Sequence, residues 1–346
     1  MHEFVFFYPK GHEAHFEQGH PERPERIEAM CQALEGAGWW NAYPHLEAKE
    51  LSLDFLAQVH SRNYLDFLQT ACQRGAHLDM DTYTTRASWN LALKAAGGAV
   101  SVAEAVWEGK ARRGFALTRP PGHHATRGRG MGFCLLNNIA ITAEYLLSQP
   151  MENGQNPDRL AIVDLDLHHG NGTQDIFWDR SDVFYISTHQ SPHYPGSGAL
   201  EERGAGDGLG YTANFPMPPF TGDRGFSATM DELILPLLER YDPQMVLVSY
   251  GFDPHWRDPL GHLMLSAAAY GDLIRRLVRL VDDRCQGRIV IFLEGGYDLQ
   301  AAQACAQAVT AALLGADWQD PLGPSPQPEG TNWQGMLLKA HQIWEV

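Results

Sequence analysis

Five short stretches of the chain are dominated by apolar, largely β-branched residues, and each gives way to a polar or glycine-rich segment: GFALT (114–118), LAIVDLDL (160–167), VFYIST (183–188), MVLVSYG (245–251) and RIVIFLEGG (288–296). Runs this apolar predict strands buried on both faces, as in a parallel sheet. Between them, residues 88–109, 226–241 and 266–283 repeat apolar positions at intervals of three and four and predict helices. The alternation predicts an α/β fold in which a mostly parallel central sheet carries helices on both faces. The one linker-like stretch is DPLGPSPQPEG (320–330), expected to be a surface loop before a short final helix. The expectation is a single domain over residues 1–346, with a catalytic core at about 20–315 and a carboxyl-terminal loop and helix at 316–346.

Composition narrows the picture. The 346 residues exceed the usual single-domain size, but open α/β enzymes keep one core at such lengths. A formal net charge of −16 disfavours binding to nucleic acid phosphates and suits cationic substrates or partners. Five well-separated cysteines without a CxxC pair fit a reducing cytoplasm. With no leader-like amino terminus and no apolar run near the ~18 residues of a membrane span, a cytoplasmic chain free of membrane contact is expected; an oligomer stays open.

In an open parallel sheet, ligands bind beyond the carboxyl ends of the strands. Four segments rich in unusual polar residues follow predicted strands there: RPPGHHATRGRGMGFCLLNN, DLDLHHGNGTQD, FDPHWRDPLGH and GGYD. Strand alternation turns Asp164, Asp166 and His168 to one side, with Leu165 and Leu167 on the other. Three ionisable groups on one face of an apolar strand are costly to bury unless they share a cation or a hydrogen-bond network. Asp253, after a second strand, either caps a helix or joins Asp166 and His168 as a third ligand. Such a set suits Zn2+ with an open position for water, and its oxygen-rich character also accommodates Fe(II), Co(II) or Mn(II).

His123 and His124 sit in a Pro-Gly turn where neighbouring side chains diverge, so their roles should differ, one imidazole being available as a general base. Tyr297, behind Gly295 and Gly296, either packs over a loop or aims its phenol at the crest to stabilise an oxyanion. Gly132 and Phe133 are candidates to line a narrow apolar passage.

Eight motifs in this order, HPERPERI (20–27), RPPGHHA (119–125), GFCLLNN (132–138), DLDLHHGNGTQ (164–174), PGSG (195–198), GFD (251–253), DPLG (258–261) and EGGYD (294–298), resemble the histone deacetylase family, including bacterial acetylpolyamine amidohydrolases. The resemblance implies an arginase/deacetylase-type α/β fold. It implies Asp166, His168 and Asp253 as zinc ligands and Tyr297 as the transition-state tyrosine. It implies His124 as general base and His123 as electrostatic partner, backed by Asn171 and Asp164 respectively, the asparagine being the class II choice. Phe133 and Tyr194 match the two aromatic walls of an acyl-lysine tunnel, although the second wall is more often phenylalanine; Gly132, Leu260 and Asp81 complete the substrate-binding set. Gly170 and His255 stand where arginases place carboxylates for a second ion, which favours one metal. The family's potassium sites match Asp164, Asp166, His168, Ser187 and Thr188 for an inner ion and Phe177, Arg180, Val183 and Tyr211 for an outer one.

The implied activity is hydrolysis of an acyl amide, with acetyl-lysine and acetylpolyamine as rival substrates. Leu260, where polyamine-specific relatives often carry an acid, favours lysine. A catalytically weak acyl-lysine reader and an acetoin-utilisation type protein are the remaining alternatives.

Overall fold

The computed structural model describes all 346 residues. Eight strands form one sheet: β1 (His2–Phe7), β2 (His45–Leu46), β3 (Ala111–Ala116), β4 (Leu160–Asp164), β5 (Val183–Gln190), β6 (Thr212–Met217), β7 (Met245–Tyr250) and β8 (Ile289–Leu293). Their spatial order is β2-β1-β3-β8-β7-β4-β5-β6, and every neighbouring pair is parallel. The chain runs outward from β4 to β6, then returns to lay β7 against β4 and β8 between β7 and β3. The four polar segments therefore follow four adjacent strands, β3, β8, β7 and β4.

The five expected strands are β3, β4, β5, β7 and β8; three more come from outside those runs. The EFVFF stretch of β1 lies in the sheet between β2 and β3. β6 contains Pro216, which cannot donate to a ladder and is tolerated because β6 is an edge strand. β2 is only two residues long.

Both faces of the sheet are covered. Ala161, Val163, Leu165 and Leu167 enter one apolar cluster, while Leu160 and Ile162 enter the other. The alternation read from DLDLH thus persists past the last ladder residue, Asp164. The helices at Ser88–Trp107 and Ala267–Arg284 match their expected spans. The segment expected as one helix over 226–241 is divided instead into Asp223–Thr229, a π-turn at Met230–Ile234 and a helix at Leu235–Tyr241. Pro236 has no amide hydrogen to give the preceding turn, which accounts for the loosened winding. The final helix, Trp333–Trp344, buries Trp333, Met336, Leu337, Ala340 and Trp344 against the larger cluster.

Candidate active site

Side chains from the four central strands meet over the carboxyl edge of the sheet. From the segment after β4, Asp166 Oδ1 lies 3.1 Å from His168 Nδ1. From the loop after β7, Asp253 Oδ2 lies 3.2 Å from the same nitrogen. Ligand atoms about 2.0–2.1 Å from a tetrahedral ion sit roughly 3.3 Å apart, so the spacing suits a shared cation. The remaining oxygens are tied down: Asp166 Oδ2 accepts from Gly295 N at 2.9 Å and Asp253 Oδ1 from Leu167 N at 3.2 Å. Asp253 Oδ2 is buried without a hydrogen-bond donor of its own, because the His168 ring is directed at Asp166. A buried, unpartnered carboxylate oxygen aimed at two other donors fits a metal ion.

The electrostatics agree. Burial opposes charge on His168, yet the carboxylates of Asp166 and Asp253 beside its ring outweigh it and lift its pKa to about 9. Proton and cation compete for the same carboxylate field, so a bound metal would take the proton's place. Gly295 makes the convergence possible: a Cβ there would stand 2.2 Å from Asp253 Oδ2 and 2.8 Å from Asp166 Oδ2.

The turn after β3 supplies two histidines whose rings stand 4.1 Å apart but face different partners. His123 Nδ1 meets Asp164 Oδ2 at 3.0 Å; His124 Nδ1 meets Asn171 Oδ1 at 2.8 Å. Burial works against a charge on His123, but Asp164, Asp166 and Glu294 together raise its pKa well above the usual value. His124 moves the opposite way, pushed down by burial and then by His123 and His168. The two rings are biased in opposite directions, His123 toward the charged form and His124 toward the neutral one. The turn itself hangs on Glu294, whose Oε2 accepts from Gly122 N at 2.7 Å and His123 N at 3.2 Å.

Tyr297 lies across the cavity from this pair. Its N–H donates to Asp258 Oδ2 at 2.6 Å, and the Asp258 Oδ1 atom takes Leu260 N at 3.0 Å, so the DPLG turn fixes the GGYD turn. Burial pushes the Tyr297 phenol well above its ordinary pKa, which keeps it a hydrogen-bond donor at neutral pH.

His123, His124, His168 and Tyr297 line a cavity of about 250 Å3, together with Asp81, Gly132, Phe133, Tyr194 and Leu260. Tyr194 stands edge-on to His124, centroids 5.2 Å apart, and Phe133 stands edge-on to Tyr297 at 5.8 Å. Every residue expected to bind substrate faces this space. His193, not singled out from the sequence, also lines it and stacks on His168 at 5.1 Å. Glu294 and Asp258 were likewise not given roles, although both belong to motifs already noted.

Gly170, in place of an arginase ligand, lies so close that a Cβ would stand 2.1 Å from Asp164 Oδ2 and 2.6 Å from the Tyr185 hydroxyl. No carboxylate side chain fits there for a second ion. Of the proposed inner potassium set, Asp164 and Ser187 are cross-strand partners, and Thr188 Oγ1 is buried without a partner. Phe177, Arg180, Val183 and Tyr211 gather around the amino ends of β5 and β6, where Arg180 N donates to the Phe177 carbonyl at 3.1 Å.

Over residues 20–313 the chain matches the histone deacetylase domain. A probable deacetylase of Archaeoglobus fulgidus is 42% identical over 301 residues, covering 86% of this chain and 82% of that one. A histone deacetylase-like amidohydrolase of Pseudomonas aeruginosa is 34% identical over 303 residues, 86% and 77% of the two chains. Among solved structures, the HDA15 HD domain matches with a TM-score of 0.88 at 33% identity, over 99% of this chain and 94% of that one. Domain match, relatives and fold agree: this chain is a hydrolase of the histone deacetylase family.

Proposed function

We propose that the chain removes acetyl, and other short acyl groups, from N6-acyl-lysine side chains, releasing a carboxylate and a free amine, with one zinc ion held by Asp166, His168 and Asp253. The observation that carries this reading is the buried, unpartnered Asp253 Oδ2 beside the Nδ1 of His168, whose ring lines a cavity walled by Phe133 and Tyr194. Zinc at that position supplies Lewis acidity toward the amide carbonyl and a water molecule.

The chain's own residues supply the rest. Asn171 Oδ1 can only accept, so the Nδ1 of His124 carries the hydrogen and Nε2 stays free to take a proton from water. His123, cationic on Asp164, stabilises negative charge developing nearby. Tyr297 donates its hydroxyl hydrogen to the oxyanion as the amide is attacked. Phe133, Tyr194 and Leu260 exclude water from the aliphatic stem. Potassium in the two sets named above, and work in the cytoplasm by a chain whose five cysteines are unpaired, belong to the same proposal.

An acetylpolyamine is the second reading, favoured by the net charge and by Asp81 on the cavity. The experiment measures kcat/KM on acetyl-lysine peptides, longer acyl-lysine peptides and acetylspermidine, with metal content determined in parallel. A tenfold preference corresponds to about 1.4 kcal/mol of differential transition-state binding. Preference for the lysine peptide supports the reading; preference for acetylspermidine replaces it. A metal-loaded protein that turns over neither would be an acyl-lysine reader.

A further inference from the structure

Tyr194 is a tunnel wall with little to lean on. It is 38% exposed, and in the segment 191–199 only Gly198 is buried. Its amino end is held by Ser191 N on the Met217 carbonyl at 2.8 Å and by His193 stacked on His168, and its carboxyl end by a set of hydrogen bonds closed on Ser197, Gly198 and Ala199. Glu202 Oε2 accepts from Gly198 N at 3.2 Å, and Glu202 Oε1 accepts from Ala199 N at 3.1 Å. The Gly198 carbonyl accepts from His189 Nε2 at 3.0 Å, and Ser197 Oγ meets His169 Nδ1 at 2.8 Å.

The network extends inward. Gln174 Nε2 donates to Glu202 Oε2 at 2.6 Å, while Gln174 Oε1 meets His169 Nε2 at 3.0 Å and Asn214 Nδ2 at 2.7 Å. Because an amide oxygen only accepts, His169 carries its hydrogen on Nε2, and its Nδ1 takes the Ser197 hydroxyl. Gly198 has φ +85°, and a Cβ there would sit 2.6 Å from the His189 ring and 2.7 Å from the His169 ring. The two imidazoles close on bare backbone.

We infer that Glu202 is a positioning residue that, through Gly198 and Ala199, holds Tyr194 against His124 and His168 and thereby sets the bore of the tunnel. The Tyr194 ring lies 5.2 Å from the His124 ring and 6.1 Å from that of His168. With the ring more than a third exposed, the clamp at the base of the loop helps set how wide an acyl group the wall admits. Glu202 touches neither the metal ligands nor the cavity; it reaches Tyr194 through the loop. The substrate half of this inference rests on the amide-hydrolysis reading above, whereas the clamp does not.

The test compares Glu202→Ala, the milder Ser197→Ala, and Ser197→Thr, which keeps the hydroxyl. Hydrogen exchange is read over residues 192–199 against β7, and kinetics on acetyl-, propionyl- and butyryl-lysine peptides. In Glu202→Ala the loop amides should exchange about tenfold faster while β7 is unchanged. Its KM for the acetyl peptide should rise about fivefold with kcat within about twofold. The butyryl-to-acetyl ratio of kcat/KM should rise about fivefold, since a wider bore relieves the longer chain. Ser197→Ala should move the same way by less, and Ser197→Thr should match the parent. Unchanged loop exchange would overturn the clamp, and an equal loss on all three acyl lengths would overturn its role in setting the bore. If Glu202→Ala fails to fold, Ser197→Ala decides both points. A parent protein inactive on every acyl-lysine peptide would remove the reaction and the bore with it, while the exchange rates would still decide the clamp.

Discussion

The guanidinium of Arg26 lies 4.8 Å from the centre of the Tyr297 ring, with Nε and Nη2 each 2.6 Å from the carbonyl oxygens of Gly296 and Glu294. The phenol is therefore aimed from both sides of its peptide, by Arg26 on the carbonyls before it and by Asp258 on its own N–H. Tyr297→Phe should lower kcat by about 10²–10³ with little change in Tm, since one transition-state donor is lost and packing is kept. Arg26→Met should lower both, because the buried Gly296 and Glu294 carbonyls lose their donor and Glu22 keeps only Arg119, at a cost of about 1–3 kcal/mol. Steady-state kinetics beside thermal unfolding separate the two; a Tyr297→Phe enzyme as fast as the parent would remove the tyrosine from the mechanism.

Glu22 sits wholly buried between Arg119, at 2.7 Å, and Arg26, at 3.1 Å. Burial pushes its carboxyl up, but Arg119, His15 and Arg26 outweigh it and bring the pKa down to about 2, from 4.5. The folded value is the depressed one, so the stabilisation is fully present above about pH 4.5 and is lost as pH falls toward 2, about 3 kcal/mol in all. Denaturant titrations from pH 6 to 3 should show this fall, and Glu22→Gln should flatten it while lowering stability at neutral pH.

Asn171 gives His124 a neutral acceptor where a carboxylate would raise its basicity. With burial and then two neighbouring imidazoles depressing it, His124 stays neutral well below pH 6.5, so kcat/KM should hold level into acid. Asn171→Asp adds a negative charge at the 2.8 Å contact and should move the acid limb upward by about one pH unit. A profile that does not move would take His124 out of the base role.

Gly295→Ala places a methyl group 2.2 Å from Asp253 Oδ2. The carboxylates must part, so metal affinity measured by chelator competition should fall by tenfold or more. Prolonged chelation of the parent should abolish turnover, and added zinc should restore it. Activity that survives complete metal removal would exclude the metal-centred reading.

Much of this arrangement is legible in the sequence because buried parallel strands write themselves as uninterrupted apolar runs, and ionisable residues at their ends stand out against that background. DLDLH shows its two faces by alternation alone, and the structure keeps that alternation beyond the ladder. Less legible are residues whose work is done on backbone. Glu294 and Asp258 hold turns through N–H groups, and nothing in the spacing of a carboxylate tells a turn-holder from a ligand. β6 was hidden by Pro216, which reads as a breaker until its place at an edge is known. His193 reaches the cavity only because a nearly unpacked loop carries it there, a placement that periodicity does not encode.

The strand order bears on how the protein is made. β1, the earliest of the eight strands in the sequence, pairs with β3, and β3 waits for β8, whose partner to Arg113 is Ile289. Asp166 and His168 are synthesised long before Asp253 and Tyr297, yet none can act until β7 and β8 insert into the middle of the sheet. A nascent chain halted before residue 289 therefore exposes the apolar flanks of a gap rather than an edge, a species prone to chaperone capture or aggregation. Truncations that remove β8 should accordingly yield insoluble chains, not weakened enzymes.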